Sequence, residues 1–83
     1  MEKELKEAKE IIEELLDDRS VPRNIRSIIE EAKKGIENPD PTSLSSAIYA
    51  LDDISSDINM PQHTRTDIWQ VISILESVKE KMK

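Results

Sequence analysis

Cysteine and phenylalanine are absent from this 83-residue chain, and glycine, histidine, tryptophan and tyrosine occur once each. With no disulfide or thiolate metal site to staple the fold, a hydrophobic core or an oligomer interface has to hold it together. The lack of cysteine also fits a reducing cytoplasm. With so few aromatic rings, the core must be Ile, Leu, Val, Met and Ala, a set suited to helix packing. A single imidazole excludes multi-histidine metal chemistry. No apolar run approaches the roughly 20 residues needed to cross a bilayer. The start, Met1-Glu2-Lys3-Glu4, is too charged for a signal peptide. These absences predict a soluble, cytoplasmic single domain over 1–83, with no membrane partner and room for one core.

Basic charge is also scarce. Twelve Lys and Arg face eighteen Asp and Glu, for a net charge of −6. That balance excludes DNA and disfavours nucleic acid generally, because such binding draws its affinity from Lys and Arg on phosphates. The charge alternates along the chain: −5 over residues 1–18, +2 over 19–37, −4 over 38–60 and +1 over 61–83. Antiparallel neighbours attract one another through such alternation, although each screened surface pair contributes only about 0 to 1 kcal/mol.

Four apolar stripes at helical spacing are present. Leu5, Ala8, Ile12 and Leu15 predict a helix over 2–18, with Lys3, Lys6 and Lys9 beside Glu7, Glu10 and Glu13 on its wet face. Ile25, Ile28, Ile29, Ala32 and Ile36 predict a second over 22–36, begun by Pro22, capped by Ser20 and ended by Gly35 and Asn38-Pro39. Leu44, Ala47, Ile48, Leu51 and Ile54 give a third, opened by the acid cap Asp40 before Pro41 and ending near 56. Ile68, Val71, Ile72, Leu75, Val78 and Met82 give the fourth, with Asn59 and Gln62 spaced as a capping box. No segment alternates as a strand does, so the fold class is all-α.

One short word is written twice. Leu16-Asp17-Asp18 followed by Ser20-Val21-Pro22-Arg23-Asn24-Ile25-Arg26 returns as Leu51-Asp52-Asp53 followed by Asn59-Met60-Pro61-Gln62-His63-Thr64-Arg65. Both copies place an arginine four residues after a proline. The recurrence predicts two helical-hairpin repeats, 2–37 and 41–82. With short connections they close into an up-and-down four-helix bundle, the alternative being two HEAT-like hairpins stacked open.

The same word supplies the charged clusters. Asp17-Asp18 with Arg26, and Asp52-Asp53 with Arg65, fit ion pairs bracing each hairpin turn; the competing reading is that the arginines meet an acidic partner. His63 with Asp57 and Asp67 does not make a metal site, and the hydroxyls of Ser55, Ser56, Thr64 and Thr66 lack the pocket and oxyanion hole that nucleophilic catalysis needs. The Glu-x-x-His motif of di-metal bundles is missing. No catalytic residue, metal or cofactor follows from the sequence, and the chain reads as a non-enzyme. Trp69 flanks the fourth stripe with Arg65 one turn earlier, where a guanidinium over the indole would contribute about 0.5 to 1 kcal/mol. Half-buried packing between helices and a contact surface are the two readings of Trp69 and Tyr49, tryptophan and arginine being the types that dominate interface hot spots.

The strings 20–26 and 59–69, joined by Leu51-Asp52-Asp53-Ile54-Ser55, resemble an archaeal family of uncharacterised proteins, number 0147 among the unassigned protein families. The resemblance covers nearly the whole chain and implies a compact all-helical cytoplasmic protein with no assigned activity and no catalytic residues to carry over. The sequence therefore predicts a protein-binding module or small adaptor, presenting Arg23, Arg26, Tyr49, His63, Arg65 and Trp69 to another protein or to a second copy of itself. The alternative is an accessory of the ribosome or other ribonucleoprotein machinery, docking its basic second helix on RNA.

Overall fold

Four helices stand where the stripes predict them: α1 (Glu2–Asp17), α2 (Arg23–Glu37), α3 (Pro41–Ser55) and α4 (Gln62–Lys81). The computed structural model describes residues 2–82; Met1 and Lys83, the two ends of the expected domain, lie outside the described residues. α1 packs on α2, α2 on α3, α3 on α4, and α4 returns to α1, with no diagonal pair in contact among the described residues. That ring is a closed four-helix bundle, with connections of three to six residues reversing the chain each time. An open HEAT-like stack would leave the stripe of α1 half uncovered, and α4 covers it instead.

The seam between α1 and α4 is tied at both ends. Near the start of α1, the Glu4 carboxylate accepts from Lys81 Nζ and, at 3.1 Å, from Ser77 Oγ. At the other end, Asp18 meets His63. Lys81 and Ser77 together hold the Glu4 carboxyl below its ordinary range, with the lysine the larger cause.

The core is aliphatic throughout. Ile12, Leu15, Ile25, Ile29, Leu44, Leu51, Ile68, Val71, Leu75 and Val78 are fully buried, and no ring joins them. Small residues draw α2 and α3 together: a Cβ added at Gly35 would lie 3.0 Å from the Ser43 carbonyl oxygen and 3.6 Å from the Ala47 Cβ. Glycine at 35 is thus a packing requirement of that contact rather than the end signal read from the sequence, because α2 runs through it to Glu37 and is capped by Asn38.

Two caps differ from expectation. The residue capping α3 is Asp40, whose carboxylate accepts from the Ser43 amide at 2.8 Å, as expected. For α2 and α4, however, the cap positions belong to Pro22 and Pro61, both in extended geometry and without a side-chain cap bond, rather than to Ser20 and Asn59. The proline carbonyls themselves start the helical ladders, accepting from the Arg26 amide at 2.9 Å and the Arg65 amide at 3.1 Å. Ser20 and Asn59 fall two residues too early to cap anything.

Thr64 is the one buried side chain in α4 at odds with its surroundings. It is fully buried and its hydroxyl has no partner. Replacing it with valine, the same shape without the hydroxyl, removes an unrepaid desolvation cost. Thr64→Val is expected to raise the unfolding free energy by about 1 kcal/mol in urea titration; a loss of stability would show that the hydroxyl has a partner after all.

Candidate functional site

Both proline turns lie at one end of the bundle, where α1 and α3 stop and α2 and α4 begin, and they share several hydrogen bonds at equivalent positions. Asp18 Oδ1 accepts from the Ser20 amide at 2.9 Å, and Asp57 Oδ1 from the Asn59 amide at 2.8 Å. The Val21 and Met60 amides donate to the Asp18 and Asp57 carbonyls, each at 3.2 Å, and both of these apolar side chains plug the core. The arginines complete the likeness. Arg26 Nη2 donates to the Asp18 carbonyl oxygen at 2.9 Å, and Arg65 Nη2 to the Asp57 carbonyl oxygen at 2.7 Å.

These contacts correct the expected ion pairs in two respects. The guanidinium groups reach main-chain carbonyls and not the carboxylates, and the acid equivalent to Asp18 is Asp57, not Asp52-Asp53. The Asp18 and Asp57 carbonyls, just beyond α1 and α3, accept a second bond beside those from Val21 and Met60, and the partial negative charge at a helix end favours a cation there. Arg65 does this most fully, with Nε on the Ser55 carbonyl at 2.8 Å and Nη1 on Gln62 Oε1 at 3.3 Å. Arg26 Nε, by contrast, is buried without a partner.

His63 joins the two turns. Its Nε2 lies 2.8 Å from Asp18 Oδ2, while Oδ1 of the same carboxylate takes the Ser20 hydroxyl at 2.6 Å. The Ser20 hydroxyl first, then His63, then the Ser20 amide hold the Asp18 carboxyl down to about 2 from an ordinary 3.8. A carboxyl depressed by folding stabilises above its unfolded pKa and loses that contribution as pH falls through the folded value. The gap in melting temperature between the native protein and Asp18→Asn should therefore be widest above pH 3.8 and close as pH falls towards about 2. A gap constant across that window would remove the carboxylate from this role.

The six candidate contact residues thus divide. Arg26 and Arg65 are engaged with carbonyls, and Arg65 is not laid over Trp69. His63 is exposed but bonded to Asp18, and Arg23 is exposed at the start of α2. Tyr49 is 76% exposed and Trp69 52% exposed, both away from the proline turns along α3 and α4. Ile58, missed by the sequence reading, is 91% exposed at the tip of the α3–α4 turn. Its signal was an apolar residue between Asp57 and Asn59 that belongs to no stripe.

Trp69 and Tyr49 share one face of the molecule. Tyr49 lines an open groove with Ser45, Ile48, Glu76, Lys79 and Glu80, which fixes the α3-facing edge of α4. Trp69 is two turns before Glu76 on that same edge, about 10 Å along the axis. The opposite edge of α4 carries His63, Ser77 and Lys81, which reach α1.

The grooves between the helices are shallow and open, and among the described residues no three His, Cys, Asp or Glu converge on a point that would hold a metal ion. Among the described residues no helix is long and apolar enough to cross a membrane. The profile of the Uncharacterised protein family (UPF0147) matches residues 1–78. UPF0147 protein MJ1419 of Methanocaldococcus jannaschii is 49% identical over 72 residues, which is 83% of this chain and 77% of that protein. The UPF0147 protein of Metallosphaera sedula is 41% identical over 85 residues, covering 95% of this chain and 92% of its own. The crystal structure of unknown function protein MMP1188, 44% identical, superposes with a TM-score of 0.81 over 89% of this chain and 88% of that one.

Proposed function

Since the chain belongs to the uncharacterised family UPF0147, whose description assigns no activity, we propose from its surface that it is a non-enzymatic protein-binding module of the cytoplasm, built from two hairpin repeats. The observation that carries this reading is the placement of the aromatics. The chain has two such residues, the core is complete without either, and both stand outward on the α3–α4 face. Exposed Trp and Tyr are the side chains that anchor protein interfaces, because each offers a large rigid surface with a polar tip. Arg23 and Ile58 extend the candidate surface at the proline-turn end. The grooves are open, and among the described residues no three His, Cys, Asp or Glu converge on a point, which weighs against a metal-based active site.

The alternative, docking of the basic second helix on RNA, draws less support. Arg26 is spent on a carbonyl, and Lys33 and Lys34 stand 3.9 Å from Glu13 and 3.6 Å from Glu31.

A photo-reactive residue at position 69, in the native host, should yield discrete protein adducts, whereas one at Glu10 on the wet face of α1 should not. Equal labelling at both positions, or labelling at neither, would contradict the proposal.

A further inference from the structure

We infer that the α3–α4 face receives a Lys- or Arg-rich amphipathic helix of a partner protein. This rests on the reading of that face as partner-binding and adds the chemistry of what it binds. Three observations converge. Residues 38–60, which include all of α3, contain no Lys or Arg, and Asp52 and Asp53 stand exposed one turn beyond Tyr49. On the facing edge of α4, Glu76 continues the line of Trp69 and is also exposed. The cations near the face do not cancel these acids: Arg65 is turned into the backbone of the α3–α4 turn, leaving Lys79 at the groove.

Between these two antiparallel helices runs a groove floored by half-buried Ile48 and lined by Tyr49, with Trp69 about 10 Å along α4 from the Glu76 edge of it. A groove of that shape accepts a third helix laid along it, with apolar side chains inward at three- and four-residue spacing. A helix so placed sets its flanking residues beside Asp52, Asp53 and Glu76, where cations are favoured and acids repelled. Lys and Arg would also find the faces of Tyr49 and Trp69, rings that attract cations in their own right. The α1 surface has more acids, but Lys3, Lys6 and Lys9 interleave them and no aromatic ring stands there, so it offers charge without anchors.

The test uses two synthetic helical peptides of about 18 residues, long enough to form several turns, one of Leu and Lys and one of Leu and Glu in the same pattern. The Leu/Lys peptide should bind saturably, shift Trp69 emission to the blue, and perturb amide resonances along the outer edges of α3 and α4. By calorimetry, Tyr49→Ser with Trp69→Ser should weaken it about tenfold or more, and Asp52→Asn with Glu76→Gln should weaken it several-fold, whereas Glu10→Gln with Glu14→Gln should change nothing. These residues are all exposed, so each variant is expected to keep the native helical spectrum. The inference is overturned by failure to bind, by equal binding of the Leu/Glu peptide, by equal loss in the α1 variant, or by a Trp69-dependent dimer in light scattering, which would make a second copy the occupant. Adducts at position 69 to a partner lacking any basic helix would sink this inference and leave the proposed function standing.

Discussion

Leu51→Ala is expected to lower the unfolding free energy by about 3 kcal/mol, the middle of the range for emptying a leucine site in a packed core. Leu51 is fully buried in α3, among Ile, Leu and Val side chains. Without Phe, Trp or Tyr in the core, filling depends on many branched aliphatic contacts, and none is large enough to compensate for a neighbour's loss. In a domain of this size, with total stability on the order of 4 to 12 kcal/mol, that is a large fraction. Urea titration at unchanged slope would show it as a lower midpoint; a change below about 1 kcal/mol would mean that the surrounding helices close up on the cavity.

Arg65→Met is expected to have the next largest effect, about 2 kcal/mol, because it removes a charged donor from the Ser55 carbonyl at the end of α3 and from the Asp57 carbonyl beyond it, which then keeps only the Met60 amide. Two of its three hydrogen bonds are short, at 2.7 and 2.8 Å, and both go to the main chain. Arg26→Met should cost about half as much, since Arg26 makes one such bond and its Nε has no partner. This ordering separates bracing from partner contact. If Arg65 served a partner, its loss would weaken binding and leave the unfolding midpoint in place. Equal effects of the two substitutions would contradict the capping account.

The helices were legible because their apolar stripes are long and regular, and so was the pairing of the two proline turns. The register of that pairing was not. Leu16-Asp17-Asp18 matches Leu51-Asp52-Asp53 as text, but the turn is keyed to the distance from acid to proline, which Asp18 and Asp57 share. The arginines' targets were hidden for a different reason: a main-chain carbonyl at a helix end leaves no mark in the side-chain alphabet, so the nearby carboxylates drew attention instead. The Asp18–His63 contact joins residues far apart in sequence, and only bundle closure brings them together. Trp69 next to Ile68 has two readings, half-buried packing and a contact surface, and at 52% exposed it is covered on one side and open on the other. Its exposure follows from the rotation of α4, which turns Thr64, Ile68, Val71 and Leu75 inward and leaves position 69 on the outer edge.

The most direct measurement is the unfolding free energy of the double variant Tyr49→Ser/Trp69→Ser beside that of Leu51→Ala. Serine has nearly the helix propensity of the two aromatics, so backbone preference drops out of the comparison. If the rings are kept for a partner, their joint removal costs no more than about 1 kcal/mol, as for surface positions, although far more side-chain volume is deleted than at Leu51. A loss equal to or greater than that of Leu51→Ala would make them structural, and the α3–α4 face would no longer stand as the working surface of this protein.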